Sequence, residues 1–223
     1  MRFASGEYYH IYNRGVEKRD IFLDENDYQR FLKGLSIFNL DLDKKLILNR
    51  VKVDIEIAYK RPSTLASIIC YVLMKNHIHL LVRCNEEVKL SKLLQKIFIG
   101  YTMYFNAKYN HSGVLFQGRS RSKHIDKQVY LSHLFNYIHL NHLDYSQSDW
   151  RTNSMHDIDA ARKIITEYPW SSLGKILSSE KDPILDKELI AELFPNSKDV
   201  LTSAIDWSYR DLQSEKGLLL EDV

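Results

Sequence analysis

The chain has 223 residues, 44% hydrophobic and 27% charged, which are ordinary globular proportions with enough apolar side chains for a sizeable core. No apolar run approaches the roughly 20 residues that span a bilayer, so a membrane-embedded protein is not expected. A formal charge of +2 is too small to announce nucleic-acid binding, and any such reading must rest on local patterning.

Cys70 and Cys84 make neither a disulfide scaffold nor a C-x-x-C motif, and the start MRFASGEYYHIYNRG lacks the apolar core of a secretory signal. A reducing cytoplasm is the expected compartment. Residues 7–13, EYYHIYN, are aromatic and β-branched and run into Arg14-Gly15, which predicts a strand ending in a turn. From Asp24 the period changes. Tyr28, Phe31, Leu32 and Leu35 stand at helical spacing behind an N-cap at Asp24, with Asp27 as a weak form of the capping box. Residues 46–59 alternate in part and predict a strand or hairpin, closed by Arg61-Pro62-Ser63.

LASIICYVLM and HIHLLVRC are separated only by Lys75-Asn76, the pattern of an antiparallel hairpin. Residues 88–110 carry an apolar stripe at 90, 93, 94, 97, 98, 101, 104 and 105, a long helix interrupted by Gly100. A Gly-rich basic segment, HSGVLFQGRSRSKHID, precedes a further helix around 130–142. This order predicts an α+β fold, a ferredoxin-like antiparallel sheet with helices packed on one face. The loop-like stretch 145–156 divides a unit of residues 1–145 from a C-terminal helical extension, 146–223, packed on it. In that extension Trp170 and Trp207 read as packing anchors.

Within MKNHIHLLV, residues 74–82, His77 and His79 stand two apart on a strand, so both rings point the same way and could reach one ion. Taken alone the triplet favours a solvated edge over a metal site, because H-x-H occurs often by chance. On the later helix Tyr137 and Asn141 are four residues apart and share a face, with His133 one turn earlier. Two imidazoles, an amide oxygen and a phenol together supply metal ligands and a nucleophile. Lys108, Arg119, Arg121, Lys123 and Lys127 surround the single acid Asp126, with Tyr101, Tyr104, Tyr109 and Phe116 interleaved or adjacent, as in surfaces that hold single strands. Arg14 and Arg19 are weaker candidates for the same task, and a solvated basic loop is the plain alternative.

MKNHIHLLV, SGVLFQGRSRSKHI, YIHLNHLDY and YPWSSL follow one another as in the single-tyrosine HUH transposases, the IS200-like family, and resemble most its REP-associated tyrosine transposase group. The likeness spans residues 7 to about 175. It implies a divalent metal, Mg²⁺ or Mn²⁺, on His77, His79 and Asn141, and a nucleophilic Tyr137 that nicks and rejoins single-stranded or hairpin DNA through a 5′-phosphotyrosine. The local basic patterning, apart from the likeness, offers Arg14, Lys108, Arg119, Arg121, Lys123 and Lys127 as DNA contacts. Lys75 departs from the family pattern, where proline usually precedes the asparagine of this turn. Two other readings stay open: a transposase-derived DNA-binding protein without catalysis, and a two-histidine hydrolase unrelated to DNA. Whether the chain works as a monomer or a homodimer is not legible.

Overall fold

The computed structural model describes residues 3–41, 63–145 and 158–195. The segment expected as a strand or hairpin over 46–59 and, in the C-terminal extension, Trp207 lie outside these residues.

Four strands, β1 (Tyr8–Arg14), β2 (Ala66–Met74), β3 (His77–Cys84) and β4 (Arg121–Ile125), form one antiparallel sheet in the order β2-β3-β1-β4. With α1 (Glu25–Phe38) after β1 and α2 (Glu87–Tyr109) after β3, this is the ferredoxin-like arrangement. Asp24 caps α1 in a full capping box: its side chain accepts from the Asp27 N–H, and the Asp27 carboxylate accepts from the Asp24 N–H. Helix α2 ends at Asn110, whose left-handed conformation (φ 49°) closes the last turn. Gly100 brings α1 against α2, because a Cβ there would lie 3.0 Å from the Phe38 ring.

The helices do not all share one face. Helix α2 and Ser122 of β4 line the same groove, which puts α1 and α2 on the face of Ser122. Helix α3 (Gln128–Leu140) crosses the other face, against β2 and β3. It is followed by a 3₁₀ turn, Asn141–Tyr145. The apolar run of β2 is explained by this layering: all nine of its residues are buried, covered from both sides.

Beyond the sheet come α4 (Ile158–Glu167), α5 (Leu173–Leu177) and α6 (Lys187–Leu193). They share the core of the sheet, with Ala161, Ile165, Leu173, Leu185 and Ile190 in one buried cluster with β2 and β3. The YPWSSL segment runs along the outer edge of β2. Leu73 N–H donates to the Trp170 carbonyl, Ser172 N–H to the Tyr71 carbonyl, and Tyr71 N–H to Ser172 Oγ. His139 Nε2 on α3 lies 2.9 Å from the same Ser172 hydroxyl, and Phe135 meets Phe194 with ring centroids 4.3 Å apart. Trp170 is a packing residue, as expected, stacked on Tyr28 at 4.5 Å. Cys70 and Cys84 are free, and burial raises both thiols. Among the described residues no helix is long and apolar enough to cross a membrane.

Candidate active site between the sheet and helix α3

Directly paired residues of an antiparallel sheet point to the same side, so the register decides which side chains meet. Arg121, Tyr12, His79 and Val72 form one row across the sheet; Arg14, His77 and Met74 form the next. On the other flank Lys123, His10, Leu81 and Cys70 align. One face therefore carries both histidines of the H-x-H triplet together with His10, Tyr12, Arg14, Arg121 and Lys123. Ile78 and Leu80 point to the opposite face.

Helix α3 lays Tyr137 over this surface. The phenol ring meets His79 edge to face, centroids 5.7 Å apart and planes at 88°. The His77 and His79 rings are 5.1 Å apart at 89°. Asn141 keeps helical dihedrals (φ −54°, ψ −37°) as the chain leaves α3, so it stays on the face of Tyr137, and its Oδ1 comes to 3.4 Å from His77 Nε2. His79, Asn141 and Tyr137 are 0%, 1% and 3% exposed, while His77 is half-buried, so the cluster is covered in this state.

Ring orientation at His77 follows from a chain of contacts. Gly15 lets the backbone approach so closely that a Cβ there would lie within van der Waals radii of the Arg19 carbonyl. Past it, Lys18 adopts a left-handed conformation (φ 62°), and its carbonyl accepts from Asn76 Nδ2 at 3.1 Å. The Asn76 Oδ1 then faces His77 Nδ1 at 2.7 Å and must accept from it. In the neutral ring this leaves the Nε2 lone pair facing the carboxamide oxygen of Asn141. Two acceptors 3.4 Å apart make a poor pair alone and a suitable pair of ligands for a cation. Among the described residues no group of three or more His, Cys, Asp or Glu is placed to hold a metal. The donors here are two imidazoles and an amide oxygen, a neutral set that fits a divalent ion and leaves coordination positions for a phosphate.

Lys75, where the family pattern has proline, has a use for its backbone N–H: it donates to Tyr145 Oη at 2.8 Å, a bond proline cannot make. The basic residues separate into groups. Arg14, Arg121 and Lys123 share the face of the histidines. Lys127 precedes α3, with its ammonium 5.1 Å above the Tyr130 ring. Arg119 lies in the preceding loop, lining a groove of about 740 Å³ with Phe98, Ile99, Met103 and Val114. Lys108 is not brought to the site: at the end of α2 it lies 2.7 Å from both Asp24 and Asp27, on the other layer. Tyr101 and Tyr104 are likewise engaged elsewhere, donating to the Ile21 carbonyl and to Asp27.

His10 is a member of the cluster that the motif does not contain. Its Nε2 lies 2.8 Å from His79 Nδ1, and burial, with Lys123 nearby, lowers it from 6.5 to about 3, so the ring is neutral at pH 7. The alternation of EYYHIYN was its only sequence signal, since the pairing of β1 with β3 joins residues 69 positions apart.

An antiparallel sheet bearing a histidine pair beneath a helix-borne tyrosine and asparagine is an architecture suited to metal-assisted chemistry on a phosphate. Residues 57–141 match the family model described as IS200-like transposase, which bears out the resemblance read from the motifs. The matched stretch includes His77, His79, Tyr137 and Asn141. Among solved structures the chain is similar to one described as the REP-associated tyrosine transposase bound to a REP hairpin, at 13% identity and a TM-score of 0.48, covering 82% of this chain and 87% of that one. No curated protein matches the chain.

Proposed function

We propose that this protein is a metal-dependent transposase that nicks and rejoins single-stranded DNA, at hairpin sites, with Tyr137 as its nucleophile. The observation that carries the reading is the convergence of Tyr137 and Asn141 from α3 on His77 and His79 from β3. His77, His79 and Asn141 would hold Mg²⁺ or Mn²⁺, which as a Lewis acid would draw charge from the scissile phosphoryl oxygens. Tyr137 Oη attacks phosphorus, its proton passing to solvent, and the bond from phosphorus to the 3′ oxygen breaks. The products are a 5′-phosphotyrosine and a free 3′ hydroxyl, and attack by a 3′ hydroxyl on the phosphotyrosine reverses the step without ATP. Arg14, Arg121 and Lys123, on the same face, neutralise the strand that approaches the site, with Lys127 at the start of α3 beside them.

The test uses labelled single-stranded hairpin oligonucleotides with Mn²⁺ or Mg²⁺, resolved on a denaturing gel. Wild type forms a covalent adduct, and Tyr137→Phe, which keeps the ring and loses one oxygen, binds the same DNA without forming one. An adduct with Tyr137→Phe, mapped by peptide mass to another tyrosine, would sink the assignment. The second reading, DNA binding without catalysis, has one observation in its favour, the 3% exposure of Tyr137. It predicts hairpin binding by wild type and no adduct under any metal condition.

A further inference from the structure

His10 takes no part in the chemistry just set out, yet it is 3% exposed and its ring nitrogen lies 2.8 Å from His79. The ring centroids are 5.0 Å apart and the planes differ by only 18°. For that centroid distance and that nitrogen contact, the two nitrogens lie nearly on the line joining the ring centres. The rings therefore meet edge to edge, the direction in which an imidazole lone pair projects. The contact is diagonal: Tyr12 is the direct partner of His79, and His10 is two residues along β1, within reach of a long side chain.

Resting on the reading that His79 is a metal ligand, we propose that His10 is its positioning residue: His10 Nε2 accepts from His79 Nδ1–H, which fixes the plane of the His79 ring and keeps its Nε2 unprotonated for the ion. An imidazole nitrogen binds a cation only when it carries no proton, and which nitrogen is unprotonated is decided by the partner of the other. At His77 that partner is the Asn76 carboxamide. At His79 it is a second histidine, whose Nε2 stands 2.8 Å from Nδ1 along the line of the ring centres. The reverse tautomer, with His10 donating, would place a proton on His79 Nε2 and shut out the metal. The two ligands are thus oriented by two different residues, one from the β2–β3 turn and one from β1.

The decisive readout needs neither metal nor DNA. Long-range ¹H–¹⁵N correlation on histidine-labelled protein reports the tautomer of each ring. In wild type His79 should carry its proton at Nδ1 and none at Nε2. His10→Leu, which removes the acceptor, should lose that tautomer and weaken Mn²⁺ binding, read by paramagnetic resonance, by roughly 10- to 100-fold. His10→Gln, whose side-chain oxygen can accept, should recover both. A wild-type spectrum with the proton on His79 Nε2 overturns the proposal, as does His10→Leu with unchanged tautomer and Mn²⁺ affinity. If His10→Leu fails to fold, the wild-type and His10→Gln spectra decide. Should His79→Ala bind Mn²⁺ as well as wild type, the metal reading falls, while the tautomer still judges the His10 contact on its own terms.

Discussion

Asp27 shows how much one buried residue can organise. It is 0% exposed and accepts hydrogen bonds from Leu23 N–H, Asp24 N–H, Tyr104 Oη, Tyr109 Oη and Lys108 Nζ. Burial alone would raise its carboxyl, but the hydrogen bonds from Lys108, Tyr109, Leu23 and Tyr104 outweigh it, and the net direction is downward from 3.8. A depressed folded value means that the contribution is fully present above the ordinary carboxylate value and is lost as pH falls through the lower, folded one. Asp27→Asn should therefore destabilise the protein near neutral pH by roughly 2–3 kcal/mol, the cost of weakened bonds at a buried charged group, and flatten the acid limb of its stability profile below about pH 4. Urea midpoints measured across pH 2.5 to 7 check this, and an acid limb identical to wild type would exclude Asp27 as its source. Lys108, which the sequence offered as a DNA contact, belongs to this cluster because the α1 N-terminus meets the α2 C-terminus, a tertiary contact that no local pattern announces. His77 and His79 were legible for the opposite reason: an i, i+2 spacing needs only one strand to be read. His10 and Asn76, by contrast, matter through which atom faces which, and that is settled by register and turn geometry.

At the scale of elements, the hairpin, the three long helices and the first strand could be read from periodicity, because each keeps its apolar period over its own length. What could not be read is how β4 lies. Its five residues alternate too briefly to show which side chains face the site, and pairing with β1 supplies the answer: Arg121 and Lys123 point with the histidines, Ser122 and His124 away. This division makes a prediction about binding that differs from a generic basic loop. Replacing Arg121 and Lys123 by alanine should lower the slope of log affinity against log salt for single-stranded DNA, by about 0.7 for each phosphate that is no longer neutralised. Replacing Lys108 should leave the slope as it was. Filter binding between 50 and 300 mM salt distinguishes the two, and equal slopes for all variants would remove β4 from the DNA path. The crossing of α3 to the other face was equally hidden, since a helical period fixes which face is apolar and says nothing about which side of a sheet it covers.

For the whole molecule, residues 158–195 complete the sheet unit as well as packing on it. They occupy the edge of β2 through Trp170 and Ser172, and they meet α3 at Phe135 and His139 and the following 3₁₀ turn at His142. A chain cut after residue 145 should consequently not behave as a stable domain. It would leave the Tyr71 and Leu73 N–H groups without their acceptors at a sheet edge, at about 1–3 kcal/mol for each that stays buried. Sedimentation of the truncated protein should show aggregates, and a monodisperse, cooperatively unfolding fragment would show that the extension is dispensable. The same edge has a meaning during synthesis. β2, β3 and the helix bearing Tyr137 all leave the ribosome before YPWSSL does, so each nascent chain passes through an interval in which a nine-residue apolar strand, ASIICYVLM, can pair with whatever strand it meets first. The order of translation thereby sets a window of vulnerability, whose length is the time taken to make the residues between Leu140 and Ser172, and which chaperone binding to ribosome-bound chains of increasing length should reveal as protection that ends once the serine has emerged.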